Sequence, residues 1–164
     1  MKYKIELLTA VHDTNSFESG DEAKDVFLRR FALQNTKGGL GRTYVAVKPE
    51  LPEKIFGYYT ISSSAVKFET LPATNLPRYP LPAILIGKLA TDITVQNQGL
   101  GTALLFDALR RAARVAEEIG IFLVEIQAVN EKVRQIYERR GFTSMQDEPM
   151  KMFMNLKKVR KLLG

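Results

Sequence analysis

A short apolar run, Ile84-Leu85-Ile86-Gly87-Lys88-Leu89-Ala90, leads into Gln96-Asn97-Gln98-Gly99-Leu100-Gly101. Thr102-Ala103-Leu104-Leu105 then opens a long amphipathic stretch. The order strand, glycine turn, helix constrains the fold of this chain more than any other feature. Neither glycine carries a Cβ, so the backbone can approach a ligand closely. The first amides of the helix have no partner within it, and the helix dipole makes that end partly positive. Such a turn is a small anion site, suited to a phosphate or pyrophosphate.

Two common phosphate motifs do not fit. A P-loop needs a Gly-Lys-Ser or Gly-Lys-Thr ending, which is absent here. A dinucleotide fingerprint needs three glycines and an acidic residue about 20 positions on, after a second strand. Glu117 and Glu118 fall near that distance but belong to the same helical stretch. Other chemistries are excluded by composition. The chain has no cysteine and a single histidine, His12, so thiolate metal sites, a cysteine nucleophile and a histidine metal cluster are ruled out. No metal is expected. The net charge of +6 suits an anionic ligand or partner, coenzyme A or RNA among them. No apolar run approaches the roughly 18 residues of a membrane span, and Met1–Leu8 is too short an apolar run for a signal peptide. A cytoplasmic protein is expected.

The pattern along the chain is that of one mixed α/β domain over residues 1–164. Residues 4–11 read as a strand, and Ser19-Gly20-Asp21-Glu22 as the start of a helix that ends at Lys37-Gly38-Gly39. Ala23, Val26, Phe27, Phe31 and Ala32 make its expected apolar face. Two strands follow, Arg42–Lys48 and Ile55–Ser63, then an irregular stretch from Ala65 to Pro82. The central strand is expected over Ala83–Ile93. The helix after it runs from Gly99 to about Glu118, with Gly120 as its cap. Its core stripe is Leu100, Leu104, Leu105, Ala108, Leu109, Ala112, Val115 and Ile119. Ile121–Ala128 has the continuous apolar character of a buried parallel strand. Asn130 caps a short helix that Gly141 ends, and Phe142–Met145 with Met150–Leu156 form a closing hairpin. Lys157–Lys161 reads as a solvated tail.

The turn resembles the Gln/Arg-x-x-Gly-x-Gly segment that binds the coenzyme A pyrophosphate in GNAT superfamily N-acetyltransferases. A second segment, from Ala128 through Asn130 and Tyr137 to Gly141-Phe142, resembles the second motif of that superfamily, and the two stand in the right order. The fold the resemblance implies is a single-domain GNAT fold, a mixed central sheet of about 6–7 strands flanked by about 4 helices. The likeness extends over nearly the whole chain to the toxin acetyltransferases of type II toxin–antitoxin pairs. Phe17, Asp25–Arg30, Gln34-Asn35, Arg42–Val47, Gly57–Thr60, Leu76–Pro80 and Gly87–Asp92 carry it. It implies acetyl-CoA as co-substrate, the α-amino group of aminoacyl-tRNA as acceptor, inhibition of translation, a ribbon-helix-helix antitoxin as partner, and a homodimer. Asn97 stands where many relatives have Gly, Thr91 where a hydrophobic residue is usual, and Lys88 where Arg is frequent.

Roles follow from the resemblance residue by residue. Tyr137 is the expected general acid for the departing coenzyme A thiolate, by protonation or by hydrogen bonding. Gln96, Asn97, Gln98, Gly99, Leu100, Gly101 and Thr102 are expected around the pyrophosphate. Leu89, Ala90 and Thr91 are expected to present backbone groups to the acetyl carbonyl and pantetheine, and Asn130 to contact the pantetheine arm. Asp92 and His12 read as structural. No general base is evident; Glu125 is the one carboxylate worth testing, and water can suffice because an aminoacyl ester amine is weakly basic. Acetylation of protein N-termini or small amines, or an inactive acyl-CoA-binding protein, are the alternatives.

Overall fold

Burial along the chain follows the apolar runs, and in the computed structural model these runs build a seven-stranded sheet. The described residues are 2–72, 76 and 78–164; Pro77, inside the Leu76–Pro80 resemblance segment, lies outside them. In chain order the strands are β1 (Lys4–Leu7), β2 (Arg42–Val47), β3 (Gly57–Val66), β4 (Leu81–Thr91), β5 (Leu123–Gln127), β6 (Thr143–Ser144) and β7 (Lys151–Asn155). They lie in the order β1-β2-β3-β4-β5-β7-β6. β1 through β3 pair antiparallel, β4 and β5 parallel, and β7 antiparallel to both β5 and β6. The sheet is therefore mixed, as expected. The helices are α1 (Glu22–Arg30), α2 (Ala32–Gly38), α3 (Leu100–Val115), α4 (Glu131–Arg139) and α5 (Leu156–Leu163). No described helix is long and apolar enough to cross a membrane.

Two compact units can be distinguished: residues 1–62 with 87–108, and residues 63–86 with 109–164. In the first, Leu8, Phe17, Leu28, Val45, Ile55, Tyr58 and Ala90 form one core cluster. β1 is shorter than the expected strand. The chain turns after Leu8 around His12, whose buried ring sets Nε2 against Glu6 Oε2 at 2.7 Å and accepts the Thr9 amide on Nδ1 at 3.0 Å. His12 is structural, as expected.

The expected first helix is two helices, divided at Phe31 (φ −122°, ψ −28°). Its buried face also differs. Asp25, Leu28 and Ala32 are buried, while Ala23 and Phe31 are exposed. The cause is Asp25, whose carboxylate accepts the Ser19 hydroxyl at 2.6 Å and the Ser19 amide at 3.0 Å. These bonds satisfy a charge that would otherwise be costly to bury, so a polar residue can occupy the buried face. Asp21 caps α1 by accepting the amides of Ala23 and Lys24.

In α3, Leu100, Leu104, Leu105 and Ala108 are buried as expected. Gly57 faces this helix. A Cβ there would stand 2.9 Å from Leu104 Cδ1 and 3.1 Å from the Ala90 carbonyl oxygen.

The second unit packs Val66, Leu71, Leu81, Ala83, Leu123 and Met145 together. Leu109 and Ala112 of α3 are buried, but Val115 and Ile119 are exposed. The helix stops at Val115 in tighter turns, Glu117 N donating to Arg114 O and Glu118 N to Val115 O. Gly120 lies past that end and is not its cap. Met152 and Met154 are fully buried. Lys157–Lys161 is not a tail. Asn155 Oδ1 accepts the Lys158 amide at 2.9 Å and starts α5, with Leu156 and Val159 buried.

Gly57→Ala is expected to lower stability by about 1–3 kcal/mol, since the added methyl meets backbone and packed leucines together. Urea denaturation checks this, and an unchanged midpoint would refute the close approach.

Candidate active site

β4 ends at a buried carboxylate. Asp92 Oδ1 accepts the Thr94 amide at 3.0 Å and the Thr94 hydroxyl at 2.8 Å, and Oδ2 accepts the Glu18 amide at 3.1 Å. Burial alone would raise its pKa, but these hydrogen bonds outweigh it and hold the carboxyl below the usual range. Asp92 is thus structural, as expected. It caps a single 3-10 turn, Ile93–Val95, that delivers the chain to Gln96.

The Gln96 side chain is engaged within the protein. Its Nε2 donates to Ser19 O at 2.7 Å and to Thr91 O at 3.1 Å, bracing the turn from behind. Asn97 has φ +61°, as its tolerance of this region allowed, and Gly99 has φ +89°. Asn97, Gln98 and Gly99 are exposed, whereas Leu100 is buried and anchors the start of α3. Ala103 N donates to Gly99 O at 3.1 Å as α3 begins. A helix N-terminus at this place is where backbone amides meet an anion. Leu89–Thr91 and Gln96–Thr102 thus form one continuous segment of the first unit.

Backbone direction in β4 is fixed by two contacts to β3. Lys88 N donates to Thr60 Oγ1 at 2.9 Å, and Ala90 O lies against Gly57. Leu89 and Thr91 therefore turn their carbonyls to the other edge of β4, whose pairing with β5 covers Ala83–Ile86. Side chains satisfy both carbonyls. Gln96 takes Thr91 O, and Lys24 Nζ donates to Leu89 O at 3.1 Å. Lys24 was missed by sequence reasoning, because a contact 65 residues away in sequence leaves no local pattern. A cleft of about 160 Å³ in the same unit is lined by Phe27, Asn35, Arg42, Thr60, Ser62 and Lys88, among others. Lys88 Nζ sits 4.8 Å over the Phe27 ring.

In the second unit, Asn130 and Tyr137 are both set by α4. Asn130 Oδ1 accepts the Val133 amide at 2.9 Å, the N-cap arrangement. Tyr137 is half-buried, and its ring is tilted against Phe142 with centroids 5.9 Å apart. Phe142 N donates to Tyr137 O at 3.0 Å, so the Gly141-Phe142 end of the motif locks the tyrosine's own backbone. Burial pushes the phenol up to about 12. It stays protonated at neutral pH. Arg134 pairs with Glu131 at 2.8 Å and with Glu138 at 3.4 Å on α4. Glu125 accepts the Ser64 hydroxyl at 2.9 Å.

A glycine turn before a helix for an anion, a backbone edge for a carbonyl and a protonated phenol are the parts an acyltransferase of the coenzyme A type requires. Residues 82–160 match the family model described as acetyltransferase (GNAT) domain. The chain is 32% identical to the tRNA-acetylating toxin of Mycobacterium tuberculosis, over 93% of this chain and 91% of that one. Its fold matches the structure of AtaT complexed with acetyl-methionyl-tRNAfMet at a TM-score of 0.91 and 26% identity, covering 99% of this chain and 100% of that one. It also matches an AtaT Tyr-to-Phe mutant bound to acetyl-CoA and the C-terminus of the antitoxin AtaR, at a TM-score of 0.84 and 26% identity, with 98% of each chain covered. The chain belongs to the GNAT acetyltransferase family, among whose members it is similar to tRNA-acetylating toxins.

Asn97→Val is expected to destabilise the protein by about 1–3 kcal/mol, because a β-branched residue is strained at positive φ. Asn97→Gly should leave stability within a few tenths of a kcal/mol. Chemical denaturation of both variants checks this; equal midpoints would contradict the turn geometry.

Proposed function

We propose that this chain transfers the acetyl group of acetyl-CoA to the α-amino group of aminoacyl-tRNA, and so inhibits translation in the cytoplasm as the toxin of a toxin–antitoxin pair. The observation that carries this reading is its similarity, over nearly the full length, to a tRNA-acetylating toxin. The turn Gln96–Thr102 holds the pyrophosphate through backbone amides, with Gln96 bracing the loop and Asn97 and Gly99 giving it its shape. Leu89–Thr91 flank the thioester and the pantetheine, and Asn130 adds a contact to the pantetheine arm from its amide nitrogen, its oxygen being committed to the cap. A ribbon-helix-helix antitoxin and a second copy of the chain are the proposed protein partners.

The chemistry assigned to Tyr137 follows from its pKa. A phenol near 12 is a weaker acid than a thiol, whose ordinary value is about 8.5. It therefore donates a hydrogen bond to the departing thiolate and lowers the barrier without surrendering its proton for good. The attacking nitrogen forms its bond to the acetyl carbon as the carbon–sulfur bond breaks, and the proton it sheds ends on coenzyme A.

Two outcomes are expected. Tyr137→Phe should cut transfer of labelled acetyl onto an aminoacyl-tRNA pool by about 100-fold or more, while acetyl-CoA still binds. No label on any aminoacyl-tRNA with the unaltered protein would sink the reading. The phenol's folded pKa is raised, so the hydrogen-bonding form persists as pH rises and is lost only on approaching 12. The kcat profile should accordingly show no alkaline fall below about pH 10, the value of an ordinary tyrosine.

A further inference from the structure

We propose that Lys24 is the cation that keeps the acceptor amine neutral, and hence nucleophilic, at the acetyl-bearing edge of β4. The inference rests on the acetyl-transfer reading above and supplies what that reading lacks, an account of how an ammonium loses its proton without a dedicated base.

Lys24 is held in place from both ends. Its carbonyl accepts the Tyr58 hydroxyl at 2.8 Å, and its Nζ donates to Leu89 O at 3.1 Å. Tyr58 is fully buried, so α1 is tied to β3 at the residue that sends its side chain to β4. Leu89 O lies on the edge turned away from β3, and the N–H and C=O of one strand residue face the same edge. The Lys24 nitrogen thus stands beside the backbone assigned to the acetyl carbonyl. The charged groups facing it are Asp21 on the cap of α1, which favours its protonated form, and Lys88 on β4, which disfavours it. Burial is the largest influence and pulls its pKa below the ordinary lysine value. Asp25, the next residue, is committed to Ser19. Asp21 offsets part of the Lys24 charge without forming an ion pair with it among the described residues.

A like charge a few ångströms away disfavours an ammonium and lowers its pKa by one or more units. The α-ammonium then gives its proton to water on binding. The neutral nitrogen attacks the acetyl carbon, the carbon–sulfur bond breaks, and the second proton lost by that nitrogen is taken up by the thiolate. Lys24 exchanges no proton. It acts through its field, as a positioning residue does through its contacts.

The test is the kcat–pH profile of acetyl transfer, which reports the amine in the bound complex. It is measured with an aminoacyl-tRNA pool and, separately, with a simple amino-acid methyl ester. Lys24→Gln keeps a hydrogen-bond donor for Leu89 O and removes the charge; Lys24→Arg keeps both. In Lys24→Gln the rise of kcat with pH should move about one unit to higher pH, leaving rates about tenfold lower near neutrality and unchanged on the alkaline plateau. Lys24→Arg should keep the midpoint of the unaltered protein. A midpoint unmoved in Lys24→Gln, with rates lowered equally at every pH, would reduce Lys24 to a structural brace and overturn the proposal. Transfer to the ester but not to aminoacyl-tRNA would reject the tRNA reading and leave the profile to decide on Lys24. Transfer to neither by the unaltered protein would overturn both.

Discussion

The buried Asp92 carboxylate is the interaction on which the candidate coenzyme-binding segment depends. It sits where β4 must stop being a strand and become a loop, and its oxygens take three donors from two parts of the chain. The backbone repeats the tie, with Ile93 N donating to Glu18 O and Asp92 N to Phe56 O, each at 2.8 Å. An ionised carboxylate out of water is stable only when its lone pairs are filled. The hydrogen bonds are thus a condition for the charge being there at all. Ser19, next to Glu18, then receives Gln96, so the same short segment that satisfies Asp92 also holds the start of the glycine turn. The positive φ of Asn97 and Gly99 is imposed on a chain already fixed at Thr91, Asp92 and Gln96.

Much of this was legible in the sequence, and the reason differs by element. The glycine turn and α3 could be read because local rules decide them: Gly-x-Gly, then a long apolar stripe whose members Leu104 and Leu109 prove fully buried. α4 was equally clear, since Asn130 and Gly141 punctuate it. The α1 face was misread because periodicity assumes that a buried position is apolar, and Asp25 breaks that assumption with its own hydrogen bonds to Ser19. In α5 the lysines hid a two-residue apolar face, Leu156 and Val159, although Asn155 was present as the cap signal. Val115 and Ile119 fitted the stripe but are exposed, since α3 ends at Val115 in tightening turns rather than at Gly120.

The candidate site was legible only where its residues are contiguous in sequence. Tyr137 is found by a motif because its partner Phe142 follows one turn later and shares a backbone hydrogen bond with it. Lys24 has no such neighbour. Its significance arises from β4 running past the end of its pairing with β5, which leaves the Leu89 and Thr91 carbonyls in need of donors. A buried carbonyl without a partner costs about as much as a lost hydrogen bond, so side chains must replace the missing strand. Gln96 and Lys24 do so, one neutral and one charged.

That asymmetry separates bracing from chemistry. A glutamine is sufficient to close a carbonyl, as Gln96 does at Thr91, and it adds no charge to the surroundings. A lysine closes a carbonyl no better and burdens the site with a cation that burial opposes. If satisfying Leu89 O were the whole task, the neutral donor would serve at lower cost. Glu125 is engaged with β3, its carboxylate accepting the Ser64 hydroxyl at 2.9 Å. A reaction whose nucleophile is a weakly basic ester amine does not require a strong base. It requires surroundings in which the amine's own proton is unwelcome, and a charged donor placed on the Leu89 carbonyl supplies them.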